Sequence, residues 1–317
     1  MKIVFFGTPD YVLPVLETLH KAFKSAAGES PIAAVVTQPP KPTGRKEILT
    51  YSAVDAWAYS KKIPIFFKPE DIVEKKVKAD LGILASYGAI IPKSAIDYLK
   101  FGILNIHPSL LPQWRGASPV QAAIVAGERQ TGVTIIKLDE KLDHGPIVTQ
   151  FKEEIFPQDT TVTLRERLFA RSADVLTALI PAYIVGKINL REQKHENATF
   201  TTLLKKDHGF IRPSYLHTAI KGKSSKGKWN IEFIKNYTLN PSPYTLDCFI
   251  RAMQPWPQAW TLLRLSSSGQ AKRLKILKAH LEKLLPNVYC LVPDVVQLEA
   301  KNPVSWREFR QAYNAQF

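Results

Sequence analysis

Continuous apolar runs alternate with amphipathic stretches along the first half of the chain. The first run, KIVFFG at 2–7, leads into YVLPVLETLHKAF, whose apolar residues recur at the spacing of a helix. The later runs are PIAAVVTQ, IPIFF, ADLGILASYG, GILNIH, TGVTIIKLDE and GPIVTQFKEEI, with helical stretches such as SPVQAAIVAGE between them. Apolar strands that alternate with helices are typical of a parallel sheet covered on both faces. The pattern therefore predicts an α/β domain with a mainly parallel sheet, and the lack of a G-x-G-x-x-G motif argues against its dinucleotide-binding version.

The pattern changes after residues 160–185, TTVTLRERLFARSADVLTALIPAYIV, which predict one long amphipathic helix. Polar residues follow at 187–206. Short apolar runs broken by turns occupy the rest of the chain: YTLDCFIRAM, QAWTLLRL, KRLKILKAHL, VYCLVPD and VVQLEA. We interpret these runs as five short strands, which favour a small barrel or sandwich. We therefore expect a first domain at 1–190, a linker at 191–206 and a second domain at 207–317.

Positive charge is concentrated towards the C-terminal end. The chain of 317 residues has a net charge of +15, yet residues 1–200 hold 25 Lys and Arg against 21 Asp and Glu, whereas residues 201–317 hold 18 against 7. A basic excess of this size indicates a polyanionic partner, and nucleic acid fits it best. A basic surface that serves only solubility is the alternative. The segment KGKSSKGK at 221–228 contributes to the excess and has the composition of a loop.

The composition also disfavours several classes of protein. Two cysteines, Cys248 and Cys290, are too few for a disulfide framework or a thiolate zinc site. The chain has no apolar run long enough to span a bilayer, and its apolar start reaches Gly7 and Pro9 too early for a secretory signal. We expect a cytoplasmic monomer with no membrane partner and no metal.

Two polar residues stand at the end of one apolar run. In GILNIHPSLLP, Asn105 and His107 are two positions apart, so they lie on the same face of a strand. Further along, KLDEKLDHGPIV places Asp143 in a turn between two strand-like runs. Loops at the carboxyl ends of parallel strands gather at one edge of a sheet, so the three residues could converge there. An amide donor, a histidine that donates or shuttles a proton and an aspartate that orients it suit acyl transfer to an amine. From the spacing alone, a polar pair at a strand end is more often a structural capping or hydrogen-bonding device.

The block NIHPSLLPQWRGASPVQAAIVAGERQTGVTIIKLDEKLDHGPI resembles the signature region of the 10-formyltetrahydrofolate-dependent formyltransferases. FFGTPDYVLPVLETL, VVTQPPKPTGRK and ASYGAIIP are similar to other blocks of that family, in the branch that acts on methionyl-tRNA. FIRAMQPWPQAWT and PVSWREFRQAY are similar to blocks of its C-terminal domain. The resemblance implies a Rossmann-like catalytic domain followed by a small OB-like β-barrel domain that binds tRNA. It also implies transfer of a formyl group from 10-formyltetrahydrofolate to the α-amino group of initiator methionyl-tRNA, a step of translation initiation.

The resemblance further implies roles for individual residues. Asn105, His107 and Asp143 would be catalytic. The folate site would be lined by two segments: Ser109, Leu110, Leu111 and Pro112 in one, and Tyr87, Gly88 and Ile90 in the other. The tRNA would be contacted by three basic residues of the loop at 39–47: Lys41, Arg45 and Lys46. Three features depart from the family pattern. The loop at 39–47 and its continuation ILTYSAV are shorter than in the family, and the stretch at 208–245 is divergent and basic. His144 replaces a small hydroxyl residue, and we interpret it as an exposed turn histidine.

Two other functions share parts of this pattern. A sugar-nucleotide N-formyltransferase would use the same folate donor and the same three residues. A noncatalytic RNA-binding protein on a decayed enzyme scaffold would keep the basic surface. The basic C-terminal part and the loop TQPPKPTGRK favour methionyl-tRNA over a nucleotide sugar, and the intact set of Asn105, His107 and Asp143 argues for an enzyme.

Overall fold

The structure is a computed structural model that describes residues 1–43, 47–264 and 271–313. The chain forms two compact units, and each unit draws on several separate stretches of sequence. One unit comprises Met1–Arg115, Thr131–Glu153 and Arg165–Ala198, and the other comprises Gly116–Gln130, Glu154–Leu164 and Thr199–Phe317.

The secondary structure of the described residues follows the chain in this order. The strands are β1 Ile3–Gly7, β2 Ile32–Val36, β3 Lys41–Thr43, β4 Ile48–Thr50, β5 Ile65–Phe66, β6 Leu81–Ala85, β7 Ile103–His107, β8 Arg115–Gly116, β9 Gln130–Lys137, β10 Ile147–Glu154, β11 Phe200–Thr201, β12 Trp229–Asn230, β13 Thr238–Leu239, β14 Ala259–Arg264, β15 Ala271–Leu285, β16 Val288–Leu298 and β17 Val304–Ser305. The α-helices are α1 Leu13–Ala22, α2 Ala53–Ser60, α3 Asp71–Glu74, α4 Lys93–Tyr98, α5 Pro119–Val125, α6 Thr161–Ile184, α7 Pro213–Ile220, α8 Pro243–Ala252 and α9 Trp306–Tyr313. Short 3₁₀ helices lie at Asp10–Val12, His195–Asn197 and Lys206–Gly209.

The first unit is organised around a sheet with the strand order β10-β9-β7-β6-β1-β2-β5. The five strands from β7 to β5 run parallel, and β9 pairs with β7 in the antiparallel direction. The predicted α/β class with a mainly parallel sheet is therefore confirmed. Phe6 pairs with Leu84, and Leu84 pairs with Asn105, so the carboxyl ends of β1, β6 and β7 lie side by side.

The apolar runs become the interior strands because both of their faces are covered. All five residues of β1 and all five of β7 are buried. Beside β1 and β6, a buried cluster joins Val4 and Phe6 to Ile72 and Ile96 of the flanking helices α3 and α4. Asn105 and His107 are thus polar residues within a strand whose other positions are apolar, and each needs a hydrogen-bonding partner.

The second unit contains an antiparallel sheet with the order β14-β15-β16-β17. Its buried face carries Leu274, Val296 and Leu298, which pack with Phe309 of α9. An antiparallel β-structure in the C-terminal part agrees with the prediction.

The assignment of YTLDCFIRAM as a strand is wrong, because this segment forms helix α8. The hydroxyl of Ser242 caps the first turn, and Pro243 occupies its first position, where proline is favoured. Leu246, Phe249 and Ile250 recur at helical spacing and are buried on one face. The helix-start signal therefore outweighs the strand-like content of aromatic and β-branched residues.

The assignment of VYCLVPD and VVQLEA as two strands is also wrong, because both belong to the single strand β16. Pro293, near the junction of the two segments, is accommodated in the pairing with β15, opposite Ala279. Register irregularities near Lys278 adjust the ladder around it.

Among the described residues, none of the helices has the length and apolar character that crossing a membrane requires. The described part of the chain also contains no group of three or more His, Cys, Asp or Glu side chains that could hold a metal ion. Cys248 and Cys290 are free thiols, and both are buried.

Candidate active site

Asn105, His107 and Asp143 meet beside strand β7 in the first unit. The Asn105 amide nitrogen Nδ2 donates to Asp143 Oδ1 at 3.2 Å, and His107 Nδ1 lies 3.5 Å from the same oxygen. The side chains are almost fully enclosed, since the three residues are only 4–8% exposed. One carboxylate oxygen therefore faces both an amide donor and an imidazole in a site where water competes little.

The second ring nitrogen of His107 fixes the position of one imidazole proton. His107 Nε2 lies 3.0 Å from the carbonyl oxygen of Trp114. A carbonyl oxygen only accepts hydrogen bonds, so Nε2 carries a hydrogen and donates it. Nδ1 is then the atom that can take up or release a proton, and it faces Asp143. Trp114 presents its carbonyl from a left-handed backbone conformation, with φ of 59°.

Asp143 sits in a tight loop between β9 and β10. Its φ is 47°, a left-handed conformation that non-glycine residues seldom adopt. Two positions later the loop requires glycine, because a Cβ at Gly145 would overlap the carbonyl oxygen of Lys137. The D-x-G pattern in the sequence thus reflects a close approach of two backbone segments.

Gln193, from the segment after α6, holds this loop in place. Its Nε2 donates to the carbonyl oxygen of Asp143 at 2.9 Å and to that of Gly145 at 2.8 Å. Its Oε1 accepts from Arg115 Nη2 at 2.6 Å. Gln193 and Arg115 are both buried. Burial lowers the pKa of the Arg115 guanidinium, while the nearby carboxylates of Asp143 and Asp139 act in the opposite direction.

Two histidines extend the same cluster. Arg115 Nη2 lies 2.8 Å from His195 Nδ1, which must accept because arginine has no acceptor atom. The ring of His195 stacks on that of His144, with centroids 3.9 Å apart and planes 4° apart. His144 Nδ1 in turn lies 2.7 Å from Asp139 Oδ2. The interpretation of His144 as an exposed turn histidine is wrong, because this stacking leaves it half-buried.

The turn after β7 is held by a hydrogen bond within it and by hydrogen bonds to β9 and β10. The Ser109 hydroxyl donates to the carbonyl oxygen of Gln113 at 2.6 Å, and the Thr134 hydroxyl donates to the carbonyl oxygen of Ser109 at 2.7 Å. Leu111 packs in a buried cluster with Ile136 and Ile147 and precedes a cis peptide bond to Pro112. Leu110 is half-buried and lies over Gly132. Among these four residues, Leu110 and Pro112 retain the larger exposed surfaces.

The segment after β6 combines a buried anchor with an open surface. Tyr87 is buried, its ring meets Phe6 edge to face at 6.2 Å, and its carbonyl oxygen accepts from the Thr8 hydroxyl at 2.9 Å. A Cβ added at Gly88 would meet no atom within 4 Å, and Ile90 is 87% exposed. Because Leu84 pairs with Asn105, this segment begins directly beside the three polar residues.

The basic loop contributes one described residue to the predicted tRNA contacts. Lys41 is exposed at the start of the hairpin formed by β3 and β4. Arg45 and Lys46 lie outside the residues that the structure describes.

Sequence reasoning missed Trp114, Arg115 and Gln193. Trp114 contributes a backbone carbonyl, which every residue possesses, so no side-chain pattern reveals it. Gln193 lies in a polar stretch that was interpreted as a linker. Arg115 falls inside the conspicuous block from 105 to 147, and its place in that block was the only signal that the sequence offered.

Comparison with known proteins relates both parts of the chain to one group. The family described as formyl transferase matches residues 1–180, and the family described as formyl transferase, C-terminal domain, matches residues 239–290.

Individual relatives extend this similarity over most of the chain. The methionyl-tRNA formyltransferase of Chloroflexus aggregans is 36% identical over 281 residues, which cover 86% of this chain and 79% of that protein. The methionyl-tRNA formyltransferase of Listeria innocua is 32% identical and covers 97% of this chain and 94% of that protein. A crystal structure of an N-formyltransferase from Helicobacter canadensis, with folinic acid and dTDP-3-aminofucose, aligns with a TM-score of 0.63 over 94% of this chain and 95% of that one. At 16% identity, this last likeness concerns the fold alone.

Proposed function

Because the chain belongs to the formyl transferase family, we propose that it transfers a formyl group from 10-formyltetrahydrofolate to the α-amino group of methionyl-tRNA. The observation that carries the proposal is the buried convergence of Asn105, His107 and Asp143 in a chain similar to methionyl-tRNA formyltransferases over most of its length. The product would be N-formylmethionyl-tRNA for translation initiation. We place the protein in the cytoplasm as a monomer.

The site residues fit a folate-borne formyl group. Asn105 offers an amide donor for a carbonyl oxygen, and it does so inside an enclosed site where such a bond is strong. Beside it, Gly88 leaves backbone uncovered and Ile90 leaves apolar surface exposed, as a flat ring system would require. We therefore propose that Tyr87, Gly88 and Ile90 line the folate site together with the turn at Ser109–Pro112. The exposed portions of Leu110 and Pro112 would supply its apolar contacts, and Ser109 and Leu111 would shape it from within.

We propose that His107 acts as the proton carrier and Asp143 as its partner. 10-Formyltetrahydrofolate supplies a formyl carbon bonded to a folate nitrogen, and the amine replaces that nitrogen. Asn105 would stabilise the negative charge that develops on the formyl oxygen. The attacking amine must lose a proton, which Nδ1 of His107 can accept because Nε2 is committed to the carbonyl of Trp114. Asp143, 3.5 Å from Nδ1, would stabilise the imidazolium, which then returns the proton to the departing nitrogen.

We propose that the second unit supplies a surface for the tRNA. Residues 201–317 hold 18 Lys and Arg against 7 Asp and Glu. On β14 and β15, Trp260 pairs with Lys275, and the guanidinium of Arg273 lies 4.0 Å from the Trp260 ring centroid. The alternate positions Thr261 and Leu274 are fully buried, so the basic and aromatic residues share the other face of the sheet. Such a face suits phosphates and unstacked bases. Lys41, Arg45 and Lys46 would add contacts to the tRNA from the basic loop.

An acceptor comparison tests the proposal. The purified protein is incubated with 10-formyltetrahydrofolate and one of three acceptors: methionyl-tRNA, the same tRNA with its methionyl amine acetylated, or an amino-sugar nucleotide. We expect formylation of methionyl-tRNA alone. Formylation of the sugar nucleotide alone would establish the sugar enzyme instead, and no transfer to any acceptor would refute formyltransferase activity.

A further inference from the structure

The loop that carries Asp143 is held by a segment that no sequence motif singles out. Asp143 is buried and has a left-handed backbone conformation. A non-glycine residue keeps such a conformation only where its surroundings enforce it. The direction of the carboxylate towards Asn105 and His107 therefore depends on whatever fixes the backbone on either side of Asp143.

A single amide group makes two of the contacts that fix this backbone. The two hydrogens of Gln193 Nε2 reach the carbonyl oxygens of Asp143 and Gly145, at 2.9 Å and 2.8 Å. Together these bonds span the turn around the catalytic carboxylate. Gln193 is 5% exposed, so water cannot readily replace either bond.

The orientation of that amide is determined by Arg115. Gln193 Oε1 accepts from Arg115 Nη2 at 2.6 Å. A flipped amide would place its NH₂ group against a guanidinium, which only donates, and its oxygen against two carbonyl oxygens. The same guanidinium nitrogen is 2.8 Å from His195 Nδ1, which limits its movement.

The backbone near Gln193 is anchored independently of its side chain. Arg191 and Ile147 exchange two backbone hydrogen bonds, of 2.7 Å and 2.9 Å. This pairing attaches the segment to the start of β10. A change confined to the Gln193 side chain should therefore leave the backbone pairing with Ile147 intact. Only the hydrogen bonds to the loop that carries Asp143 should change.

We propose that Gln193 is a positioning residue for formyl transfer: its amide, oriented by Arg115, holds the loop so that Asp143 faces His107. The inference rests on the proposed function. It predicts that the two N–H donors of Gln193, rather than its bulk, determine the rate of the chemical step.

Two variants separate the donor role from simple packing. Gln193→Met keeps a similar length but removes both the donors and the acceptor. Gln193→Glu keeps an acceptor for Arg115 and directs an oxygen towards the two carbonyls instead of the NH₂ group. A matched control is Gln254→Met in the second unit, where the Gln254 amide donates to the carbonyl oxygen of Leu277 at 2.9 Å.

We would measure kcat, the KM for each substrate and the thermal unfolding midpoint of the full chain. Both Gln193 variants should lower kcat by about 10- to 100-fold, because a misplacement of about 1 Å can cost that much, while either KM changes by less than about twofold. Gln254→Met should keep the wild-type kcat.

Specific outcomes would overturn the inference. A folded Gln193→Glu protein with wild-type kcat would show that Gln193 serves only as a partner for Arg115, even if Gln193→Met failed to fold. Equal increases in KM without loss of kcat would assign Gln193 to substrate binding. A wild-type protein that transfers no formyl group would refute the proposed function itself, and the inference with it.

Discussion

Replacement of Asp143 by asparagine removes the carboxylate charge while keeping the size and shape of the side chain. Asn105 can still donate to the oxygen of the new amide. The contact that is lost is the attraction between the carboxylate and a protonated His107. We therefore expect the variant to fold and to bind tRNA, but to transfer formyl groups slowly.

The distance between His107 Nδ1 and Asp143 Oδ1 sets the expected loss of rate. Two unit charges 3.5 Å apart attract each other by roughly 4.7 kcal/mol at an effective dielectric constant of about 20. Complete loss of that term from the transition state would slow the reaction by a factor of about 3000. The dipole of the asparagine amide retains part of the attraction, so we expect kcat to fall by about 100- to 1000-fold.

The assay is single-turnover formylation with the protein in excess over methionyl-tRNA, with tRNA affinity measured separately. Asp294→Asn is the matched control, because His280 Nδ1 and Asp294 Oδ1 also form a pair, at 2.8 Å, but with 52% of the histidine side chain and 28% of the aspartate side chain exposed. Solvent screens such a pair, so its loss should leave kcat unchanged. A rate for Asp143→Asn within about threefold of the wild type would refute the role of Asp143 as the partner of an imidazolium.

Three further predictions concern other parts of the chain. Thr261 is fully buried, and its hydroxyl has no hydrogen-bond partner among the described residues, so Thr261→Val should raise the free energy of unfolding by about 1 kcal/mol in urea titration; a loss of stability would mean that the hydroxyl is satisfied. Burial, together with Lys24, Lys61 and Lys21, lowers the pKa of His20 below its ordinary value of 6.5. The folded state therefore binds a proton at His20 less readily than the unfolded state does, and the protein loses stability as the pH falls below about 6.5. The unfolding midpoint of His20→Gln should therefore fall less than that of the wild type between about pH 7.5 and about pH 5.5, and equal falls would contradict the assignment. Lys275→Ala should weaken methionyl-tRNA binding and reduce the slope of log affinity against log salt by about one, and an unchanged slope would exclude a phosphate contact at Lys275.

Regular elements with a clear period were predictable from the sequence. In the strand ILNIH, Asn105 and His107 are two positions apart and therefore lie on one face. The D-x-G turn marks where Asp143 lies. The expected parallel sheet allowed all three to converge at one edge, but β9, the strand that precedes Asp143, is antiparallel to β7, so the rule for parallel strands does not account for their contact. Helix α8 was missed because its Tyr, Phe and Ile residues favour strands. The capping Ser242 and the following Pro243 are the signals that favour a helix.

The residues that hold the site in place could not be predicted from the sequence pattern. A buried Asp143 in a left-handed conformation requires donors for its neighbouring carbonyls, and the sequence shows that requirement only as a turn. Any polar side chain long enough to reach the loop could meet it. Trp114 contributes only a backbone carbonyl. Gln193 comes from a stretch whose polar composition predicts exposure to solvent. Composition reports how polar a segment is, but not which of its side chains are buried. Which residue supports the loop that carries Asp143 is therefore determined by the three-dimensional contacts, and substitution of Gln193 tests this.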